Sequence, residues 1–215
     1  EQGKVLVNGQ VAGMGQQVEE TDTVQVGKKI LQGKQTQKVL AFYKPVGVTC
    51  TERDPHAEKK IMDMIRYPER LTYAGRLDKD SEGLILLTND GDLINAMMRG
   101  ANRHEKEYIV KTDRKITPDF LEKMAKGIYL KDLDITTREC EIEQIGKFTF
   151  RIVLTQGVNR QIRRMCEACG YRVKALKRIR IMNILLGDLK PGKWREVTGE
   201  ELEQLQRDTG MLNHN

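Results

Sequence analysis

Three stretches of this chain bring together side chains that could do chemistry. The first is Gly75-Arg76-Leu77-Asp78-Lys79-Asp80-Ser81-Glu82-Gly83, a turn-rich, charge-dense loop that feeds an aliphatic run. A carboxylate in such a loop is held at the mouth of a sheet, where Asp78 could serve as nucleophile or base. The same spacing also fits a loop carboxylate that only accepts hydrogen bonds from nearby N–H groups. The second stretch is Glu105-Lys106-Glu107-Tyr108-Ile109-Val110. Tyr108 shares a strand face with Val110 and should point inward, as a half-buried core ring does. The third is Gln156-Gly157-Val158-Asn159-Arg160-Gln161-Ile162-Arg163-Arg164-Met165, a loop that delivers a helix with three arginines in its first turns. Guanidinium forks suit phosphate oxygens and carboxylates. Cations near a helix N-terminus oppose its dipole, so their placement there suggests a use for the charge.

Other signals carry less. Cys166-x-x-Cys169 is a lone pair on the apolar side of its helix, better suited to packing than to a metal. Cys50, Cys140, His56, His104 and His214 are scattered without metal-ligand spacing. Gly13-Met14-Gly15 is a weak turn, and no Walker A, G-x-G-x-x-G, H-E-x-x-H or G-x-S-x-G motif is present. No metal and no nucleotide or redox cofactor is expected.

The elements that must position these residues follow from periodicity. Val39–Tyr43 and Leu84–Thr88 read as buried strands, and Glu105–Thr112 alternates as another. Phe148, Phe150, Ile152 and Leu154 sit at strict period two. Asn89-Asp90-Gly91 is followed by a helix to Arg99 that Gly100 stops, and Thr117-Pro118 opens one that Gly127 closes. Asn159 should cap a helix ending at Gly170, whose apolar face is Ile162, Met165, Cys166 and Cys169. Ile179–Leu186 and Trp194–Val197 flank the turn Lys190-Pro191-Gly192, and Thr198-x-x-Glu201 predicts a capping box. Val5–Val7, Asn8-Gly9 and Val24–Val26 read as short strands with a hairpin turn. Thr51–Lys60 is a polar loop. Many strands, few helices and no regular βαβ alternation predict an α+β fold with a mostly antiparallel sheet.

Composition narrows the partner. The 215 residues carry 37 Lys and Arg against 31 Asp and Glu. Residues 156–195 hold eleven of the basic residues and only Glu167 and Asp188 as acids. A basic face on a chain of modest net charge fits a polyanion partner, or a plain solvated surface. The tail after Arg195 is acidic. Four cysteines are too few for a disulfide scaffold, so a reducing, cytoplasmic setting is expected. The longest aliphatic run, Leu84–Leu87, is too short for a membrane span or a secretory leader.

With these blocks in place, the chain resembles the pseudouridine synthases, in the branch that modifies ribosomal RNA and carries an S4-like domain ahead of the catalytic domain. The resemblance rests on GRLDKDSEGLILLTNDGDL (75–93), HEKEYIV (104–110), QGVNRQIRRMCEACGY (156–171) and LKRIRIMN (176–183), in the family's order, and runs from Val39 to about Leu205. Residues 1–33 resemble the second half of an S4-like RNA-binding domain, in KVLVNGQ and TDTVQV. Residues 34–37 read as a linker, and 38–215 as the catalytic domain.

The resemblance implies a mostly antiparallel mixed-sheet catalytic domain that isomerises one uridine to pseudouridine without a cofactor. It makes Asp78 the catalytic aspartate, Tyr108 the tyrosine that packs on the target base, and Arg163 the basic residue that pairs with the aspartate. Arg76, Asn159, Arg160, Gln161, Arg164, Lys174, Lys177, Arg178 and Arg180 are the expected RNA contacts. The expected substrate is 23S ribosomal RNA or a large-subunit assembly intermediate, acted on by a cytoplasmic monomer with no membrane partner. Small-subunit ribosomal RNA or tRNA is the alternative substrate, and a non-catalytic RNA-binding module of the same fold is the alternative class.

Overall fold

A computed structural model describes residues 5–19, 22–31, 36–51 and 60–212. The chain divides into two compact units, 1–37 and 38–215. The first holds a four-stranded antiparallel sheet in the order β2-β1-β3-β4, from β1 (Val5–Val7), β2 (Gln10–Val11), β3 (Val24–Val26) and β4 (Lys29–Leu31). Asn8 and Gly9 turn β1 into β2 with φ of 50° and 80°, the doubly positive geometry of a type I′ hairpin. The Asn8 side chain also accepts a hydrogen bond from Thr23 N at 2.9 Å and donates to Asp22 at 2.8 Å.

The second unit contains β5 (Val39–Lys44), α1 (Ile61–Met64), β6 (Thr72–Tyr73), β7 (Glu82–Thr88), α2 (Gly91–Met98), β8 (Lys106–Thr112) and α3 (Pro118–Lys126). It continues with β9 (Tyr129–Leu130), β10 (Ile135–Thr136), β11 (Glu141–Gly146), β12 (Thr149–Leu154), α4 (Gln161–Ala168) and β13 (Val173–Ile181). β14 (Ile184–Leu185), β15 (Trp194–Glu196) and α5 (Gly199–Asp208) close it. Its main sheet runs β11-β12-β8-β13-β7-β5-β15, with β14 on β13 and β6 on β7. Every pairing is antiparallel except β13 with β7. This is the α+β architecture that the sequence predicts. Among the described residues no helix is long and apolar enough to cross a membrane.

β5 and β7 are buried on both faces, which is why they read as continuous apolar runs rather than alternating ones. Ala41, Leu84 and Leu86 pack with Leu93 and Leu205 from α2 and α5. Leu40, Phe42, Ile85 and Leu87 pack on the other face with Ile61 and Leu71. A separate core joins Val110, Phe150 and Ile152 to Phe120 of α3 and to Ile162, Met165 and Cys166 of α4. Both α4 cysteines are thus packing residues, and all four described cysteines are free.

Local signals hold in part. Thr117 Oγ1 accepts from Phe120 N at 3.1 Å, with Pro118 in the first turn of α3 and Gly127 (φ 94°) ending it. Three expectations fail. Thr198 makes no side-chain cap, and the Glu201 carboxylate that would close the box on the Thr198 N–H instead accepts both Arg195 nitrogens, at 2.6 and 3.0 Å. A charged fork outcompetes a neutral N–H for that carboxylate. Asn159 does not cap α4; the residue before the helix is Arg160, in left-handed conformation with φ 51°. The segment Ile179–Leu186, expected to flank the Lys190-Pro191-Gly192 turn as one piece, is split: β13 runs from Val173 to Ile181, the chain turns at Met182 (φ 52°), and β14 follows. Most of the polar loop expected at Thr51–Lys60 lies outside the described residues.

Candidate active site

The loop that carries Asp78 is clamped from below. Lys44, at the end of β5, is wholly buried, and its ammonium donates to the carbonyls of Pro45 and Val48 at 2.8 Å and of Lys79 at 3.3 Å. Burial pulls that ammonium down to about 8. The Cys50 thiol donates to Leu77 O at 3.2 Å and accepts from Leu77 N at 3.4 Å, one residue before Asp78. Burial pushes this thiol up, so it stays a neutral donor. Ser81 N closes the turn on Asp78 O at 3.1 Å.

Beyond the turn, Gly83 meets β13 at close quarters. A Cβ there would lie 2.3 Å from Arg178 O and 2.7 Å from Arg178 N, and its φ is 114°. Only glycine lets β7 run parallel against β13 at this point.

From the other side, the 156–160 loop and α4 bring arginines to the same turn. Arg160 donates Nη1 and Nη2 to the two Asp80 carboxylate oxygens, at 2.9 and 2.8 Å. Its Nη1 lies 3.4 Å from Asp78 Oδ2. Arg163 donates Nη2 to Asp80 O and Ser81 Oγ, both at 3.0 Å, with Nη1 3.5 Å from the Asp80 carboxylate. Hydrogen bonds from Arg160, with the charges of Arg163 and Arg160, hold the Asp80 carboxyl below its ordinary value. The expected pair of Arg163 with Asp78 is therefore corrected: Arg160 makes that contact and Arg163 serves Asp80. The two arginines are three residues apart, Arg160 in left-handed conformation just before α4 and Arg163 within it.

Between these walls is a cavity of about 460 Å³. Asp78, Tyr108, Arg163, Arg76, Asn159, Arg160, Gln161 and Arg178 all line it, so the structure brings together eight of the sequence-predicted site residues. Among the described residues, Asp78 is the one carboxylate in the lining, against five cations. The Tyr108 ring stands on the sheet, with Leu154, Leu176 and Val158 supplying apolar wall.

The remaining assignments part company. Gln161 is buried and closes the start of its own helix: Oε1 accepts from Val158 N at 3.3 Å and Nε2 donates to Gln156 at 3.2 Å. Arg178 is 3% exposed, donating Nε to Leu84 O at 2.7 Å and Nη1 to Arg76 O at 3.3 Å. It cannot belong to the solvated basic face in which the sequence placed it. Arg180 lies outside the cavity and is held by Glu105 at 3.0 Å and Glu107 at 3.4 Å. Arg164 pairs with Asp132 at 3.6 Å, and Lys177 lies 3.9 Å from Glu82. Lys174 is exposed and away from the cavity.

Sequence reasoning passed over Asp80, Ser81, Lys44 and Lys106. Lys106 lines the cavity and carried a usable signal: it stands two residues before Tyr108 on one strand, hence on the same face.

Comparison with known proteins places the chain in a family. Residues 38–168 match the profile of the RNA pseudouridylate synthase family. The chain is 44% identical over 207 residues to the dual-specificity RNA pseudouridine synthase RluF of Escherichia coli K12, covering 95% of this chain and 70% of that protein. It is 31% identical over 222 residues to ribosomal large subunit pseudouridine synthase B of Pseudomonas aeruginosa, covering 98% of this chain and 57% of that protein. A crystal structure of a pseudouridylate synthase superposes with a TM-score of 0.75 at 27% identity, over 95% of this chain and 89% of the other. A family match across most of the second unit, together with a relative this similar over nearly the whole chain, makes this chain a member of the RNA pseudouridylate synthase family and an RNA pseudouridine synthase.

Proposed function

We propose that this enzyme converts one uridine of large-subunit, 23S-type ribosomal RNA to pseudouridine, with Asp78 carrying the reaction. The observation that supports this reading most directly is the Asp78 carboxylate, the one acid in the lining among the described residues, in a cavity of about 460 Å³ beside the Tyr108 ring. That volume suits a nucleoside. A uridine stacked in RNA must leave the stack to enter it. Tyr108 then replaces the lost stacking, worth ~1–3 kcal/mol per base. Arg76 is exposed at the rim with no carboxylate against it among the described residues, which suits a backbone phosphate. Asp78, oriented by Arg160, attacks C1′ or removes the C2′ proton; either step releases the uracil, which turns and rejoins through C5.

Large-subunit RNA as substrate draws on the printed name of the Pseudomonas relative. The dual specificity named for the Escherichia relative favours a second RNA as a further substrate of the same site. The small sheet of residues 5–31, with its Asn8-Gly9 hairpin, supports reading the first unit as the later part of an S4-like RNA-binding domain. The enzyme works as a cytoplasmic monomer on ribosomal RNA or an assembly intermediate.

The test is pseudouridine mapping by carbodiimide-blocked primer extension, in cells lacking the gene and complemented with wild type or Asp78→Asn. One large-subunit stop that disappears on deletion and returns only with wild type is the expected result. A stop restored by Asp78→Asn overturns the assignment of the aspartate, and no lost stop overturns the substrate.

A further inference from the structure

Two cations in the cavity have no role in the account above. Lys106 lines it, and among the described residues no carboxylate and no hydrogen-bond acceptor meets its ammonium. The acids on either side of it in the strand face elsewhere: Glu107 is taken by Arg151 and Arg180, and Glu105 by Arg180. Arg178 lines the same cavity from the neighbouring strand, directly opposite Tyr108 in the register. Its guanidinium is fixed by two carbonyls, while its buried Nη2 has no partner.

A buried N–H without an acceptor costs on the order of 1–3 kcal/mol. A half-buried ammonium beside a guanidinium is costly as well. Burial, with the Arg178 charge adding to it, pulls the Lys106 ammonium below its ordinary value. If stability were the only demand, an apolar residue would serve better at Lys106. Both residues line the space that holds the Tyr108 ring and Asp78, the Lys106 ammonium without an ion-pair partner among the described residues and the Arg178 Nη2 buried without an acceptor, so both suit an electronegative atom of the ligand.

We propose that Lys106 and Arg178 are catalytic residues that take up the negative charge passing onto the uracil when its glycosidic bond breaks. This rests on the reading of Asp78 given above. If Asp78 attacks C1′, a carboxylate oxygen forms the new bond to C1′, and the C1′–N1 pair leaves with N1. If Asp78 takes the C2′ proton, the C2′–H pair becomes the C1′–C2′ double bond, and N1 again leaves with its pair. In both cases the freed base is a monoanion with charge on N1, O2 and O4. A preorganised ammonium and a fixed N–H donor at those oxygens stabilise it without a second acid and without proton transfer.

The experiment compares wild type, Lys106→Met, Lys106→Arg, Arg178→Lys and Asp78→Asn in single-turnover assays of N1–C1′ bond cleavage on a substrate RNA carrying uridine or 5-fluorouridine at the target; cleavage is read because a C5 fluorine leaves no proton to lose after rejoining. Thermal melting accompanies each. Fluorine stabilises the departing anion by itself, so a group that stabilises that anion matters less for the fluorinated base. Lys106→Met should melt no lower than wild type and lose roughly 10–100-fold in rate on uridine RNA. The loss on 5-fluorouridine RNA should be several-fold smaller, and Lys106→Arg should recover part of the uridine rate. Arg178→Lys should show the same smaller loss on the fluorinated RNA. An equal loss on both RNAs, or no loss for Lys106→Met, overturns the proposal. An Asp78→Asn variant that stays active overturns the underlying reading instead, so the two failures are separable.

Discussion

Replacing Asp80 by Asn should move RNA affinity and turnover in opposite directions. A carboxylate at the rim of a polyanion site repels the substrate, yet Asp80 stands there and engages two arginines. Its two oxygens accept the Arg160 fork at 2.9 and 2.8 Å, and the same guanidinium reaches Asp78 at 3.4 Å. Asn offers one acceptor and one donor, so the fork opens and Arg160 leaves Asp78. A charge-assisted hydrogen bond is worth ~1.5–3 kcal/mol when desolvated. The side chains here are 40% and 48% exposed, which reduces the effect to about 1 kcal/mol. That corresponds to about a five-fold fall in kcat. Arg163 keeps its bonds to Asp80 O and Ser81 Oγ, so the loop itself stays in place. For binding, a unit charge about 10 Å from a phosphate is worth ~0.4 kcal/mol in water, or about two-fold in KM, in the favourable direction. Steady-state titration of a target RNA fragment at low salt measures both. A lower KM with unchanged kcat would refute the positioning role and leave Asp80 as a rim charge. A rise in KM would refute the repulsion argument.

Two further outcomes test the clamp and the footprint. The Lys44 ammonium is depressed from 10.5 to about 8 in the fold, so between those pH values the unfolded chain binds more protons and stability rises with pH. Urea unfolding at pH 7.5 and 10.5 should show wild type gaining on Lys44→Met, a difference that cancels the opposing Tyr43 shift common to both; a constant gap would contradict the buried ammonium. In RNA binding, Arg76→Gln should reduce the slope of log K against log salt by about 0.7, the value for one single-strand phosphate. Arg180→Gln should leave the slope unchanged, because its charge is already met by Glu105 and Glu107, and an equal effect of the two variants would place the footprint elsewhere.

Much of this fold and site is legible in sequence where one physical force dominates. Val39–Tyr43 and Leu84–Thr88 declare themselves because strands buried on both faces have no room for polar residues. The Thr117–Pro118 start of α3 is local chemistry, complete within four residues. β13 hides because its core-facing row includes Arg178, whose charge breaks the apolar pattern although the residue is 3% exposed. Two bulges shift its register as well. Arg160 and Arg163 cannot be ranked against Asp78 from spacing, since the contact joins residues 82 positions apart and is set by tertiary packing. Asp80 reads as one more loop charge until Arg160 is seen to fork onto it. Net charge along 156–195 overstates the basic surface, because Arg178 is internal and Arg180 is paired with acids from β8.

Why the site lies where it does follows from one register row. Ile152 faces Tyr108, Tyr108 faces Arg178, Arg178 faces Gly83, and Gly83 faces Lys44, across β12, β8, β13, β7 and β5. Residues directly paired across a sheet project on one face, so this row sets an aromatic ring beside a guanidinium, with a lysine two strands further on. The gap at Gly83 is the only place in the row without a side chain, and β13 passes within 2.3 Å of where one would be. There the chain enters β7 directly after the Asp78 turn, which Lys44 grips from the far end of the row through Lys79 O. β12 ends two residues beyond Ile152 and hands over to the loop that carries Arg160. The parallel pairing of β7 with β13, the single exception in this sheet, thus brings a loop from each half of the unit over the same row. An antiparallel β7 would present its C-terminal end there, and the Asp78 turn would face the opposite edge.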